Sequence, residues 1–323
     1  MSIQWFITGA AGFIGSKTAE FLIESGHKVV GYDNFAAGDR DVIKRLKNKY
    51  LKSFHFIEGD IRDAELLENS IPEYAQVANL AAQASVPQSY ADAAYSSEVN
   101  IKGLINVLYA ANKKNSPVCL YASSSAVYGE QLEMPILETS RPDPRSPYAV
   151  SKLAGEMYAA SLDEQFASMR IIGLRLFNVF GPGQKPDGEY AAVIPKWIDY
   201  MFSGKRAGVY GEGNATRDFC FVENVARLIE TIQKSKEKIH HQVYNIGSGE
   251  SVSLLALYAI IRDAITKRGV KDIPEQPEFL PSRMGDILHS QADIKKAAHD
   301  LGFANCVNLN QGIEKTVQAR FDP

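Results

Sequence analysis

"ITGAAGFIGS", residues 7–16, decides the fold. A short apolar run ends in glycine, and Gly9, Gly12 and Gly15 follow one another at a spacing of three. Glycine suits a turn that meets a pyrophosphate, because backbone approaching that closely tolerates no Cβ. The helix opening behind the turn then offers free N–H groups and the positive end of its dipole. Phe13 and Ile14 sit inside the same turn and are counted with it. The spacing is G-x-x-G-x-x-G, not the G-x-G-x-x-G dinucleotide fingerprint, so the strand before and the helix after carry the reading. A nucleotide-hydrolysing P-loop is the rival. It needs contiguous G-K-[ST], whereas "GSKT" (15–18) moves Lys17 one helical position round, and that reading is set aside.

Working outward, "IQWFIT" (3–8), "KVVGYD" (28–33), "FHFIEGD" (54–60), "QVANLAA" (76–82), "VCLYASS" (118–124) and "RIIGLRLF" (170–177) read as strands. Helical patterns such as "FIGSKTAEFLIES" and "EVNIKGLINVLYAANKK" lie between them. Apolar strands alternating with helices indicate a parallel sheet covered on both faces. The expected class is α/β, a Rossmann-type doubly wound parallel sheet with a smaller mixed α/β C-terminal substrate domain. Residues 1–177 form the dinucleotide domain, part of 219–247 returns to it, and 178–323 form a discontinuous second domain. Asp33 ends the second strand, where a carboxylate accepts hydrogen bonds from ribose and repels a 2′-phosphate; NAD is favoured over NADP. The basic run "RDVIKRLKNKYLK" (40–52) reads as a solvated helix face, with a phosphate contact as the sharper alternative.

Of 323 residues, 35 are basic and 38 acidic, a net charge of -3 that argues against a nucleic-acid-binding protein. Cys119, Cys220 and Cys306 are widely spaced and odd in number, suggesting neither a disulfide framework nor a zinc site, and no metal is expected. No segment approaches the ~18 apolar residues of a membrane span, so the expectation is no membrane association and a cytoplasmic protein.

"SPYAVSK" (146–152) places Tyr148 and Lys152 four apart after a Ser–Pro step. Ser before Pro reads as N-cap and first helical position, which puts the two side chains side by side on a helix. The spacing alone decides nothing, since Tyr109 and Lys113 in "YAANK" share it.

With "TGAAGFIG", "GDIRD" (59–63), "NLAAQASV" (79–86), "SSSAVYG" (123–129), "SPYAVSK" and "RLFNVFGPG" (175–183), nearly the whole chain resembles the extended short-chain dehydrogenase/reductases. More narrowly it is similar to the nucleotide-sugar 4-epimerases. The resemblance implies tightly bound NAD, a UDP-sugar substrate and a homodimer built on a helix bundle. It implies that Gly9, Gly12 and Gly15 line the pyrophosphate, Asp33 and Asn34 the adenosine ribose, and Asp60 and Ile61 the adenine. Leu80, Ala81 and Ala82 would follow the cofactor along the fourth strand, with Asn100, Ser123 and Phe177 also on its side. Asn79 stands where the family commonly has His, which changes a hydrogen bond near that strand. Ser124, Tyr148 and Lys152 match the catalytic Ser/Thr and Tyr-x-x-x-Lys set.

That chemistry needs those groups. The C4 hydrogen of a hexose is not acidic, so inversion there requires oxidation to a ketone by NAD⁺ while a base takes the O4 proton. A free tyrosine, pKa about 10, is a poor base at neutral pH; bringing it there needs about 3 units, roughly 4 kcal/mol. The Lys152 ammonium and the oxidised nicotinamide are the available cations, and Ser124 would hold O4 against Tyr148. A 4,6-dehydratase would carry Asp-Glu where this chain has Ser125 and Ala126, whereas a uronate epimerase or decarboxylase stays open. A non-catalytic NAD-binding sensor would tend to lose the tyrosine or lysine.

On the substrate side the resemblance implies Ser85, Ser124 and Ser125 near the sugar and Asn178 on the diphosphate. Ala192 and Val193 in "YAAVIP" would hold uracil, with Tyr210 beside them. Arg217 and Arg283 would fork onto the diphosphate and Asp286 bond the uridine ribose. Ser290 falls seven residues after Arg283, where a bulky Tyr in related epimerases excludes N-acetyl sugars. A serine leaves room, so the chain looks most like the UDP-N-acetylglucosamine/N-acetylgalactosamine 4-epimerases, with UDP-glucose/UDP-galactose also accommodated.

Overall fold

The computed structural model describes residues 2–186, 192–232, 241–281 and 287–321. The first strand, β1 (Gln4–Thr8), carries Trp5, Phe6 and Ile7 at 0% exposure, the run expected of a strand buried on both faces. There follow α1 (Phe13–Glu24), β2 (Lys28–Asp33), α2 (Arg40–Lys49), β3 (Phe54–Glu58), α3 (Ala64–Ser70) and β4 (Gln76–Asn79). Then come α4 (Val86–Ala91), α5 (Ala93–Ser97), a π-helical turn (Glu98–Lys102), α6 (Gly103–Lys113) and β5 (Val118–Ser124). A 3₁₀ turn (Ser125–Tyr128), α7 (Pro147–Leu162) and β6 (Arg170–Leu176) complete this half. Side-chain caps start the helices where the chain supplies them: Asp39, Asp63, Ser85, Asp92 and Ser146 each accept an N–H of the first turn.

The later elements are shorter: β7 (Asn178–Phe180), α8 (Val193–Phe202), β8 (Gly208–Tyr210), β9 (Thr216–Arg217), β10 (Phe219–Phe221), α9 (Val222–Ile232) and β11 (Gln242–Ile246). After them come β12 (Val252–Ser253), α10 (Leu254–Thr266), β13 (Glu278–Leu280), α11 (Lys295–Leu301) and α12 (Leu309–Phe321).

Seven parallel strands form one sheet in the order β11-β6-β5-β4-β1-β2-β3. The chain runs outward from β1 to β3 and restarts on the other side at β4, so the carboxyl ends of β1 and β4 flank a crevice where ligands of such sheets bind. Because side chains alternate, Trp5 and Ile7 enter one apolar cluster with α1, α2 and α9. Phe6 enters the other, with α3 and α6. A third cluster, with Ile194, Trp197, Val209, Leu257, Ile261 and Ile313, packs α8, α10 and α12 away from the sheet.

The six strands read from sequence appear in place, and β11 joins β6 with Tyr244 opposite Leu174. Two segments differ. "QVANLAA" leaves the ladder after Asn79, because the Thr8 hydroxyl, not a strand carbonyl, accepts the Ala81 N–H at 3.2 Å. The helix expected over "EVNIKGLINVLYAANKK" opens with the π turn, which carries Asn100. The basic run is a solvated helix face: Arg40 forks onto Glu58 at 2.7 and 3.1 Å, and Lys49 reaches Glu20 and Glu24 at 3.1 Å. Tyr109 stacks edge-on against Phe166 and Lys113 bonds Glu68, so that pair is structural.

Candidate functional site

The glycine turn is built for close approach. Gly9 has φ +70°, and a Cβ there would lie 2.7 Å from the Ala81 nitrogen; a Cβ on Gly15 would collide with the Gly9 carbonyl oxygen. Thus α1 sits flush on the β1 turn, and Gly12 caps it with no side-chain acceptor, leaving its N–H groups to a ligand. The turn opens on a cavity of about 520 Å³ lined also by Asp33, Asn34, Asp60, Ile61, Leu80, Ala81 and Ala82.

Asp33 accepts the N–H of Ala11 at 2.9 Å and of Phe35 at 2.7 Å, and burial pushes its carboxyl up. Asp60 is clamped by Arg62, Nε to Oδ1 at 3.0 Å and Nη2 to Oδ2 at 2.8 Å, with Asn34 on Oδ2 at 2.8 Å. Those bonds, Arg62 first, hold its carboxyl at about 2. Asn79 accepts from Thr8 Oγ1 at 2.6 Å, which fixes the hydroxyl that holds Ala81. A cavity of dinucleotide size, a Cβ-free cradle, an uncapped helix and a carboxylate at the second strand end fit NAD.

A second cavity, about 650 Å³, lies beyond β7. Asn178, Ala192, Val193, Tyr210 and Arg217 line it, all singled out from sequence. Ala192 caps α8 without a side-chain bond, so a second set of helix N–H groups faces a ligand. Arg217 Nη1 donates to the Thr216 carbonyl at 2.9 Å, and Asn178 Nδ2 to the Asp218 carbonyl at 2.8 Å.

The catalytic candidates line neither cavity and pack beside α4, which touches both. Pro87 lines the second cavity and Gln88 the first, and the Tyr148 N–H donates to Ser89 Oγ at 3.0 Å. Ser146 caps α7 through Ala149 N at 3.1 Å with Pro147 in its first turn, so Tyr148 and Lys152 share one face. Ser124 ends β5; its Oγ accepts the Ala126 N–H at 3.1 Å and is hydrogen-bonded with Tyr148. Lys152 is 7% exposed, with Nζ 5.8 Å from the Tyr148 ring centroid and donating to the Ala122 carbonyl at 2.9 Å. Burial pushes the Tyr148 phenol up while the Ser124 bond pulls it down; burial brings Lys152 down to about 8 against the pull of Glu156. The site therefore holds a hydroxyl pair able to pass a proton and a lysine that still carries its charge at neutral pH.

Other sequence candidates sit elsewhere. Asn100 is buried, donating to Gln83 O and Ser151 Oγ at 2.9 Å; Ser123 bonds Glu156; Phe177 packs on Tyr128. None of these three lines either cavity, and neither do Ser124, Tyr148 and Lys152. Ser85 lines the first cavity, not the second, and Ser125 opens the 3₁₀ turn. Ser290 is 8% exposed and is not among the lining residues. Arg283 and Asp286 lie outside the described residues. Sequence reading missed Tyr32, Gly38 and Tyr95 at the first cavity and Lys196, Arg206 and Glu278 at the second. Glu278 reaches it because β13 pairs with β8, some seventy residues apart, which no local pattern announces.

Comparison with known proteins agrees with this fold. The NAD dependent epimerase/dehydratase family matches residues 5–247. A UDP-glucose 4-epimerase of Mycolicibacterium smegmatis is 33% identical over 320 residues, 98% of each chain. Among solved structures, a UDP-N-acetylglucosamine 4-epimerase from Methanobrevibacter ruminantium in complex with UDP-N-acetylmuramic acid aligns with TM-score 0.90 at 33% identity, covering 100% of this chain and 99% of that one. The UDP-glucose 4-epimerase of Thermotoga maritima with UDP-glucose aligns at 0.88 and 31%, covering 99% of both.

Proposed function

Because the chain belongs to the NAD dependent epimerase/dehydratase family, we propose that it inverts C4 of a nucleotide-bound hexose, with UDP-N-acetylglucosamine and UDP-N-acetylgalactosamine as its principal pair. The carrying observation is the Ser124–Tyr148–Lys152 set packed beside α4, whose Gln88 lines the dinucleotide cavity and whose Pro87 lines a second cavity with a diphosphate-type arginine. NAD, when bound, would supply reversible hydride exchange at C4 and, in its oxidised form, a positive charge. Tyr148 Oη takes the O4 proton as the 4-ketone forms and returns it after the sugar has turned its other face. Ser124 Oγ hydrogen-bonds O4 and holds it against the phenol. Lys152, protonated below about 8, stabilises the phenolate that burial alone disfavours.

Arg217 and the N-terminus of α8 are suited to grip the diphosphate and base, leaving the sugar free to rotate. Arg283, Asp286 and Ser290 are proposed on the resemblance alone: the arginine on the diphosphate, the aspartate on ribose, the serine beside the C2 substituent. In this reading the sheet half, with β11, holds the cofactor and the residues after 178 hold the sugar nucleotide. A homodimer is proposed on the face of α7 that leaves Val150, Met157 and Tyr158 exposed.

The test is NMR of UDP-N-acetylglucosamine incubated with purified protein and no added cofactor. Appearance of the 4-epimer is expected; unchanged substrate, with NAD verified as bound, rejects the reading. Tyr148→Phe should lower turnover at least ~10³-fold while NAD content stays as in wild type. Undiminished turnover would remove Tyr148 from its role.

A further inference from the structure

Behind the catalytic face of α7 lies a buried polar cluster that the proposed reaction leaves unused. Glu156 is one turn beyond Lys152 and 5% exposed; Arg175 of β6 forks onto it, Nη2 to Oε2 at 2.7 Å and Nε to Oε1 at 2.9 Å. Ser123 Oγ donates to the same Oε1 at 2.5 Å. Arg175 Nη1 continues to Tyr128 Oη at 2.8 Å and the Glu138 carbonyl at 3.0 Å, and Tyr128 donates to Asn245 Oδ1 at 2.6 Å. One carboxylate thus joins α7, the end of β5, β6, the 3₁₀ turn and β11.

The catalytic groups are split between two of those elements, Ser124 on β5 and Tyr148 with Lys152 on α7. Their separation depends on how α7 docks on β5, and Glu156 bonds the residue next to Ser124. A buried ammonium also needs a compensating negative charge. Around Glu156 and Lys152 stand Tyr148 on α7, Tyr121 on β5, Tyr128 on the 3₁₀ turn, Arg175 on β6 and His241 beside β11. Ser89 of α4, Asn100 of the π turn and Leu104 of α6 meet α7 with uncharged side chains, while Ser96 of α5 bonds Gln83. Glu138 acts on Tyr128 and Asp163 on His241 at the edge of that set, while the carboxylate acting on Lys152 is Glu156.

We propose that Glu156 is a positioning residue: through Ser123 it sets Ser124 against Tyr148, and through its charge it keeps Lys152 an ammonium during turnover. The inference rests on the epimerase reading of the cleft. It agrees with the direction in which Glu156 moves Lys152, upward against burial. A purely structural Glu156 would account for the fork to Arg175 but not for any link to the proton chemistry.

The experiment is the pH–rate profile of NAD-loaded protein, with bound NAD and thermal midpoint measured for each variant. Wild type should decline on the alkaline side as Lys152 loses its proton. In Glu156→Gln the alkaline limb should move to lower pH by about one unit, because Arg175 is left unpaired near Lys152. In Glu156→Gln/Arg175→Gln it should return toward wild type. Ser123→Ala keeps both charges and should lower kcat about five-fold at every pH with the limb in place. A Glu156→Gln profile lowered equally at all pH overturns the electrostatic role, and an unaltered kcat in Ser123→Ala overturns the positioning role. If Glu156→Gln fails to fold, the double variant carries the charge test, a limb more than a unit below wild type counting against it. A wild type that binds NAD but turns over no sugar nucleotide overturns the epimerase reading and this inference together.

Discussion

Two residue pairs with the same local chemistry have opposite fates here. Tyr148–Lys152 and Tyr109–Lys113 share a spacing, yet the first pair packs beside α4, which touches both cavities, and the second packs on Phe166 and Glu68. Burial is what a sequence reading cannot weigh: it pushes Tyr148 up and brings Lys152 down to about 8, so a phenolate requires added positive charge, which the cofactor brings. Ser290 is the other residue whose meaning depends on surroundings. At 8% exposure there is no room for a phenol ring in place, so in Ser290→Tyr the ring must turn into the cleft or strain its own segment. The expected result is activity on UDP-N-acetylglucosamine falling at least ~10-fold further than on UDP-glucose. Equal losses on both, with a lowered thermal midpoint, would show strain and no gate.

At the scale of elements, the turn between β1 and α1 was legible because glycine spacing and strand-to-helix context are local. The structure adds why each glycine is there. Gly9 is forced by its positive φ and the backbone of Leu80 and Ala81; Gly15 is forced by the Gly9 carbonyl. Gly15→Ala should therefore cost about 1–3 kcal/mol in urea unfolding and leave the protein purified without NAD. Full NAD content and unchanged stability would refute the close-packed turn. The cap at Ser146 and Pro147 was likewise legible, since capping is a property of adjacent residues. The π turn at Glu98–Lys102 was not: it is set by Asn100 reaching across to Gln83 and Ser151, contacts spanning 17 and 51 residues.

Across the whole molecule, distant segments around the second cavity are tied together. Asp218, fully buried, accepts Ser248 N and Oγ at 2.5 and 2.8 Å, Gly249 N at 3.0 Å and Ala292 N at 3.0 Å. One carboxylate thereby binds the strand that carries Arg217 to the end of β11 and to the segment containing Ser290. Asp218→Asn places an amide N–H₂ among those donors and should lose about 2–4 kcal/mol, with KM rising more than kcat falls. A variant with wild-type stability and KM would show that the knot is incidental. The Glu156–Arg175 pair plays the matching part on the sheet side, joining elements that sequence order separates.

By itself the sequence determined the strands and helices of the sheet half, the glycine turn, the acid at Asp33 and the Ser, Tyr and Lys proposed for the reaction. Those signals are periodicities, caps and short motifs, all made within a few residues. Only the tertiary structure decided which members line a cavity, that Asn100 and Ser123 are tied into buried hydrogen bonds while Phe177 packs on Tyr128, and that Glu278 faces the second cavity. The reason is physical: a side chain's neighbours come from strand pairing and burial, which join residues far apart along the chain. "ITGAAGFIGS" could be read alone because its glycines answer to backbone beside them and to an anion above them.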